Sequence, residues 1–336
     1  MLSESSDNFL VSTKNISDYK INEFEYNRFA CQYIYDLLLL EVQTKKKPNT
    51  IKLAENIYNY ISLTFNQSSC YIFMAHLYMN SKDELKNIDK ALHFYNLAAD
   101  YGNVEALMIL GNIYLEGIIA IVDIPRAKEY FNRAAEKGNS EALFKLGNIN
   151  WNDGKIQEAI ELYKKAADKG NPSALLKLGN LYYYGDVFTK DLKKAIDYYF
   201  KSSCADNDEA LLMLGDMYYK GEGFEKNYLK AFECYQRSYN RNNSFASYRL
   251  GTMYYNGSGF DVNIEKAIGY FKTCIILNDQ ENYKFLRASL NGSRNDLGTI
   301  YITESEFYNE DNGFKYLTAA ASSGEYQHGY NNLGIF

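Results

Sequence analysis

The chain has 336 residues, 23% of them charged, with a formal net charge of −6 and a pI near 5.3. Proteins that bind nucleic acids cluster Lys and Arg to neutralise phosphates, so this charge balance excludes nucleic acid as the expected partner. Three prolines and 16% aromatic residues are typical of a folded, helix-rich chain.

The first residues, MLSESSDNFLVSTKN, lack the basic and apolar segments of a secretory signal, and no apolar run in the chain is long enough to span a bilayer. We therefore expect a cytoplasmic protein without a membrane span, and a disordered tail over residues 1–20. The five cysteines are odd in number and have no C-x-x-C spacing, which predicts neither a disulfide framework nor a zinc site.

Residues 21–68 show apolar residues at helical spacing, for example Tyr33, Leu37 and Leu40, in a pattern that differs from the later repeats. The terminal elements of a repeat array are atypical because they shield its exposed end. We expect atypical N-terminal capping helices over this segment.

From about residue 69 to residue 275 the chain repeats a short pattern built around a Leu-Gly pair, which indicates a repeat architecture. The steps between successive motif glycines are 36, 32, 36, 36, 47 and 36 residues, and Met74-Ala75 fits the same frame one cycle earlier. These glycines are Gly111, Gly147, Gly179, Gly215, Gly251, Gly298 and Gly334.

Each cycle is predicted to form two helices, the first with the pattern A-L-x-x-L-G-x-x-Y and the second with A-x-x-x-Y-x-x-A-A. Glycine inside a helix costs about 1 kcal/mol, so its recurrence predicts a paired helix packed closely against a backbone without a Cβ. Gly102, Gly138 and Gly170 are predicted left-handed C-terminal caps. Asn and Asp residues in register are predicted N-caps, for the first helix Asn103, Asn139, Asn171, Asn207 and Asn243, and for the second Asn87, Asp123, Asp191, Asn227 and Asn263.

Residues 276–336 are less regular, because eleven residues are inserted between the cycles of Gly251 and Gly298. The insertion predicts an extended helix or an additional turn. The chain stops at NNLGIF, partway through a first helix. A capping helix, an assembly surface that continues the array in another molecule, and a truncation are all compatible with this ending.

The pattern A-x-x-x-L-G-x-x-Y-x-x-G-x-G-x-x-x-D-x-x-K-A-x-x-Y-x-x-A-A-x-x-G-N resembles the Sel1-like repeat, a branch of the tetratricopeptide superfamily. The cycle GNINWNDGKIQEAIELYKKAADKGN, of 32 residues, is more similar to an ordinary tetratricopeptide repeat. The resemblance implies an all-α fold, a right-handed α-solenoid of about seven to eight helical hairpins with a curved groove.

The residue after the motif glycine is polar in each of six cycles: Asn112, Asn148, Asn180, Asp216, Thr252 and Thr299. By resemblance to tetratricopeptide proteins, this polar column faces the groove and Asn112, Asn148 and Asn180 hydrogen-bond a peptide there. Relatives that clamp a carboxylate carry Lys four residues earlier, whereas this chain has Met108, Phe144 and Leu176, which disfavours a carboxylate clamp. The structural alternative is that these side chains bond between adjacent repeats.

Aromatic and apolar side chains supply two further candidate contacts. Tyr183, Tyr219 and Tyr255, with Trp151 in the short cycle, either face the groove, where Tyr and Trp suit interfaces, or pack between repeats. One inter-helix loop reads EGIIAIVD where others read KGEGFEKN, so Ile119 and Ile121 either fold onto a neighbouring element or form an exposed docking patch.

No metal-binding, phosphate-binding or nucleophile motif accompanies the repeats. We therefore expect no cofactor, no metal and no enzymatic activity, and a scaffold or adaptor that binds a protein or peptide in its groove. The alternatives are a hydrolase or β-lactamase-like enzyme built on such repeats, and a self-assembling structural protein. Nothing in the sequence sets the partner's identity or the oligomeric state.

Overall fold

The computed structural model describes residues 67–80, 86–117, 119–280 and 287–322, which form fourteen α-helices and no strand. They fall into two compact units, which divide between Ala142 and Leu143. The first unit contains α1 (Gln67–Asn80), α2 (Ile88–Asp100), α3 (Val104–Glu116) and α4 (Ile124–Glu136), and the unit boundary lies within α5 (Ser140–Asn152). The second unit contains α6 (Ile156–Asp168), α7 (Pro172–Tyr184), α8 (Leu192–Cys204), α9 (Asp208–Lys220), α10 (Tyr228–Tyr239), α11 (Ser244–Asn256), α12 (Ile264–Gln280), α13 (Arg287–Thr303) and α14 (Glu310–Ala321).

Consecutive helices of the described residues pack in pairs, so each cycle within those residues forms one helical hairpin. The prediction of an all-α array of hairpins is confirmed, while its right-handedness stays a prediction. The tail, most of the capping segment and the end of the chain lie outside the described residues. None of the helices in the described ranges is both long and apolar enough to cross a bilayer.

The predicted N-caps of the first helices are confirmed. Each Asn Oδ1 accepts a hydrogen bond from the backbone N–H three residues later, for example Asn171 from Ala174 at 2.8 Å. Such a cap stabilises a helix by about 1 kcal/mol relative to alanine. The same bond, at 2.8–3.0 Å, is made by Asn103, Asn139, Asn207 and Asn243.

The second helices begin in the same way, and the helix ends follow the predicted glycine pattern. The Asn or Asp side chain accepts from the third following N–H at 2.8–3.0 Å at Asn87, Asp123, Asp191, Asn227 and Asn263. Gly102, Gly138 and Gly170 have φ values of 78°, 89° and 77°, in the left-handed region expected for C-terminal caps. In later hairpins Asp206 and Asn242 occupy this conformation, with φ of 66° and 63°.

The motif glycine is required by the ring that packs on it. A Cβ on Gly215 would lie 2.5 Å from the ring of Tyr235, which is fully buried on α10. The predicted close approach of the paired helix is therefore confirmed. Equivalent contacts join Gly111 to Phe131, Gly147 to Tyr163, Gly179 to Tyr199, Gly251 to Phe271 and Gly298 to Leu317.

The Lys or Arg that precedes Ala in the second helix covers an aromatic stack. The rings of Tyr114 and Tyr130 stack with centroids 5.8 Å apart, and the Arg126 guanidinium lies 4.5 Å from the Tyr114 centroid. A cation over an aromatic face contributes roughly 0.5–1 kcal/mol at an exposed site. The same arrangement recurs with Lys90 over Tyr78, Lys194 over Tyr182, Lys230 over Tyr218 and Lys266 over Tyr254.

The insertion in the second unit lengthens helices. Both α12 and α13 have 17 residues, whereas the other second-unit helices described have 12 or 13. The prediction of an extended helix is confirmed at this point.

Candidate functional site

The polar column is tied to the ring that packs on the motif glycine. Tyr163 donates its hydroxyl proton to Oδ1 of Asn148 at 2.8 Å, and Tyr199 donates to Oδ1 of Asn180 at 2.7 Å. Both tyrosine rings are fully buried, and burial raises the pKa of Tyr163 to about 12. The hydroxyl therefore stays protonated and acts as a donor in neutral solution.

This hydrogen bond fixes which end of each asparagine amide faces the core. Because Oδ1 accepts from the buried tyrosine, Nδ2 points away from that hydroxyl, and it has no hydrogen-bond partner among the described residues for either Asn148 or Asn180. Both side chains are half-buried. Each therefore presents an unused N–H donor at the surface of a first helix.

Asp216 occupies the same position on α9 but has both oxygens engaged. Its Oδ1 accepts from the Tyr235 hydroxyl at 2.6 Å, and its Oδ2 accepts from Nη2 of Arg249 on α11 at 2.9 Å. The Nε of Arg249 also lies 2.9 Å from Oδ1. Asp216 thus links two consecutive hairpins, as the structural alternative from the sequence expects for this column.

The residue of the polar column makes different hydrogen bonds where the ring packed on the motif glycine has no hydroxyl. Phe131 packs on Gly111, the residue before Asn112, and the buried Oδ1 of Asn112 has no hydrogen-bond partner in the described part of the chain. Phe271 packs on Gly251, and Thr252 donates its hydroxyl to the Tyr248 carbonyl at 3.0 Å. Thr299 donates in the same way to the Asn295 carbonyl at 2.9 Å.

The structure adds His76 to the polar column. His76 follows Ala75 on α1, its Nδ1 lies 3.5 Å from the Tyr95 hydroxyl, and its Nε2 lies 3.2 Å from Oε1 of Glu105 on α3. Sequence reasoning missed His76 because its column was read only from cycles that contain the motif glycine. The register of Met74-Ala75 is the signal that identifies it.

A lysine connects the short cycle to the following hairpin. Nζ of Lys177 on α7 lies 4.5 Å from the ring centroid of Trp151 on α5, and Trp151 also packs against the core around Tyr163. Trp151 is half-buried, so it combines packing with a partly exposed edge.

Sequence reasoning missed Tyr184, which lies one helical turn after Asn180 with 59% of its surface exposed.

The first helices of these two hairpins thus carry a set of candidate contacts in the second unit, and the contact of Lys177 with Trp151 joins the two helices. We call this set the α5–α7 surface, formed by Lys145, Asn148, Trp151, Lys177, Asn180 and Tyr184.

The second tyrosine of the motif bonds to the loop of the next hairpin. The Tyr183 hydroxyl donates to Oε2 of Glu222, and the Tyr219 hydroxyl lies 3.1 Å from the Ser258 hydroxyl. Burial and then Glu222 raise the pKa of Tyr183. Tyr255 is half-buried against the core around Phe271. These contacts agree with the packing interpretation of the tyrosines.

Two described residues of the apolar loop in the first unit are open to solvent. Ile121 is 90% exposed and Val122 is 54% exposed, whereas Ile119 is half-buried. Val122 packs towards Gly117. Gly117 caps the C-terminal end of α3 in the left-handed conformation, with a φ of 67°. The docking patch stays a prediction, with Ile121 as its most accessible residue.

Reactive chemistry is sparse among the described residues. They contain no group of three or more His, Cys, Asp or Glu side chains arranged to hold a metal ion. Cys204, Cys234 and Cys274 are free thiols, and burial raises the pKa of Cys234 to about 11, which makes it a poor nucleophile in neutral solution.

Hairpins with paired caps, a ring packed on a helix glycine and short inter-helix loops define an α-solenoid repeat protein. The sequence profile of the Sel1 repeat matches residues 68–103, 104–139, 172–207, 208–243, 244–273 and 296–325, together more than half of the chain. The chain therefore belongs to the Sel1 repeat family. A tetratricopeptide repeat profile matches residues 123–174, which include the 32-residue cycle predicted to be of that type.

Solved structures show the same fold at low sequence identity. A protective antigen of uropathogenic Escherichia coli with an SLR fold is 22% identical, with a TM-score of 0.65 over 91% of this chain and 65% of its own. A Sel1 repeat protein of Oxalobacter formigenes is 24% identical, with a TM-score of 0.61 over 70% of this chain and 94% of its own. An immunity protein of Pseudomonas aeruginosa is 20% identical, with a TM-score of 0.50 over 67% of this chain and 86% of its own.

Among the curated proteins compared with the chain, none matches. The structural similarities therefore establish the fold alone.

Proposed function

We propose that the protein is a non-enzymatic adaptor that holds an extended segment of a protein partner in the concave face of its repeat array. Repeats of the Sel1 and tetratricopeptide type commonly form interaction scaffolds, which supports the general class. The observation that carries the proposal is the fixed orientation of Asn148 and Asn180, whose Nδ2 donors are turned away from the core by buried tyrosines.

An extended peptide offers the complementary groups. Its backbone carbonyls recur along the chain and are not satisfied by secondary structure, so they accept hydrogen bonds from outward-facing amides. The partly exposed Trp151 and the exposed Tyr184 provide flat apolar surface beside these donors, and such residues dominate binding energy at many interfaces. Each hydrogen bond adds only about 0.5–1.5 kcal/mol, so both asparagines are needed for useful affinity.

The test uses a substitution that removes the donor and keeps the internal bond. In Asn148→Asp with Asn180→Asp, a carboxylate oxygen still accepts the tyrosine hydroxyl, as Asp216 does from Tyr235 at 2.6 Å. Removing the amide by alanine would instead leave two buried hydroxyls unsatisfied and confound binding with stability. The matched control is Asn132→Asp, the same chemical change at an exposed position of α4.

Binding is measured on an array of random twelve-residue peptides, and the Kd of the selected peptides is then determined at high salt, which screens the added charges. We expect the double variant to bind about tenfold more weakly, and Asn132→Asp to bind like the wild type. The Tm should stay within a few degrees in both. No array peptide bound above background, or equal binding by the double variant, would contradict the proposal.

A further inference from the structure

Each of the two first helices of the candidate site carries one lysine at its centre, and the one acidic residue on these two helices is Glu141 in the first turn of α5. Lys145 is the sole charged side chain of residues 143–152, and Lys177 is the sole charged side chain of α7. By contrast, α3 in the first unit carries Glu105 and Glu116 and no basic residue. The centres of α5 and α7 therefore carry a basic side chain, whereas α3 has none, although the whole chain has a net charge of −6.

Neither lysine is neutralised within the described residues. No ion pair involves Lys145 or Lys177 there, whereas Lys164 pairs with Glu161 at 3.0 Å. Lys177 instead lies over the Trp151 ring. Lys145 precedes Asn148 by three residues, and Lys177 precedes Asn180 by three, so each ammonium shares a helix face with an outward amide.

The hydrogen-bonding groups of this surface are almost all donors. The oxygens of Asn148 and Asn180 are occupied by tyrosine hydroxyls, which leaves their amide hydrogens and the two ammonium groups without a hydrogen-bond partner among the described residues. A ligand that fits must therefore supply acceptors and negative charge. Asp216 on α9 occupies the position that Asn180 has on α7. Its carboxylate is neutralised by Arg249 on α11, so these two residues add no unpaired charge.

From this arrangement, and resting on the function proposed above, we infer that the α5–α7 surface selects an acidic segment of its partner. Carboxylates of Asp or Glu side chains lie against Lys145 and Lys177, and backbone carbonyls of the extended segment accept from Asn148 and Asn180. Nucleic acid also carries negative charge, but two lysines on a chain with a net charge of −6 fall short of the clustered cations that phosphate backbones require.

The test compares the composition of bound array peptides with that of the whole array. Enrichment of Asp and Glu is expected. Binding by peptides without such enrichment would overturn the inference and leave the proposed function standing, whereas the absence of any bound peptide would overturn both. A labelled single-stranded oligonucleotide of twelve nucleotides is measured in parallel, and tighter binding of it than of the acidic peptides would also contradict the inference.

Charge variants then locate the selectivity. At low salt, Lys145→Gln and Lys177→Gln should each weaken binding of a fluorescein-labelled acidic peptide by about twofold to fivefold, and together by about tenfold. The control Lys193→Gln removes one charge from an exposed lysine of α8 and should change the Kd by less than about twofold. If Lys193→Gln weakened binding as much as Lys145→Gln and Lys177→Gln do, the effect would come from the net charge of the protein. That result would contradict the proposal that the α5–α7 surface binds the acidic segment.

Discussion

The ring of Phe131 packs on Gly111 at the position where Tyr163 packs on Gly147, and the buried Oδ1 of Asn112 beside it has no hydrogen-bond partner among the described residues. In the hairpin of Tyr163, the corresponding Asn148 oxygen accepts a tyrosine hydroxyl at 2.8 Å. The hydroxyl of the packed ring therefore decides whether the column asparagine has a hydrogen-bond partner for its buried oxygen. A buried polar atom left without a partner costs roughly 1–3 kcal/mol.

Phe131→Tyr should raise the free energy of unfolding by about 1 kcal/mol, because the new hydroxyl gives Asn112 the missing hydrogen bond. The measurement is chemical denaturation of the two proteins under identical conditions. Tyr163→Phe is the matched reverse change and should lower the free energy of unfolding by a similar amount. If Phe131→Tyr destabilised the protein, the pocket would have no room for the hydroxyl. The prediction that a tyrosine at this position satisfies Asn112 would then be wrong.

Gly215→Ala should destabilise the fold by roughly 1–2 kcal/mol, although alanine is the better helix former. The added Cβ would lie 2.5 Å from the Tyr235 ring, and overpacking costs of 1–3 kcal/mol exceed the gain of about 1 kcal/mol from helix propensity. Tyr235 cannot easily move, because its hydroxyl is bonded to Asp216. Thermal denaturation checks the sign.

Gly269→Ala is the control for this substitution, since Gly269 lies inside α12 and a Cβ there would meet no packed neighbour within 4 Å beyond its own turn of helix. It should stabilise the protein by up to about 1 kcal/mol. Shifts of the same sign for the two glycines would mean that close packing is not what selects the motif glycine.

The buried tyrosines predict a loss of stability at alkaline pH. Burial raises the pKa of Tyr163 to about 12 from an ordinary value of 10, so the folded state holds this proton more tightly than the unfolded chain does. The corresponding stabilisation is fully present below pH 10 and is lost as the pH rises from 10 towards 12. The slope for this residue reaches at most about 1.4 kcal/mol per pH unit.

Unfolding measured between pH 8 and pH 11.5 should therefore show a shallower decline for Tyr163→Phe than for the wild type. Tyr101→Phe changes an exposed ring and should leave the decline as it is. Parallel curves for Tyr163→Phe and the wild type would exclude Tyr163 as a source of the pH dependence.

The caps and glycines of this fold were predictable because they are local. An Asn before a helix needs only the N–H three residues later, as at Asn171 and Ala174, so register in the sequence is enough to identify it. The glycine contact was predictable in kind, since repeated glycine inside a helix requires a compensating close approach. Its partner, such as Tyr235, became specific only once two helices had been packed together.

The candidate site was less predictable because its chemistry depends on pairs of residues from different helices. The sequence placed Asn148 and Asp216 in one column, yet the first retains a free amide and the second is closed by Arg249 from the next hairpin. Likewise the lysine next to Trp151 comes from α7, one repeat away in the sequence. The exposure of Ile121 is set by the path of its loop, which apolar composition alone does not determine.

The most direct measurement of the central claim is the NMR response of asparagine side-chain amides to a bound peptide. In protein labelled with ¹⁵N at Asn, the Nδ2–H signals of Asn148 and Asn180 should shift on titration with an array-selected peptide, while that of Asn132 should stay in place. Signals of Asn148 and Asn180 that remain unmoved at saturation, with shifts confined to other residues, would contradict the account.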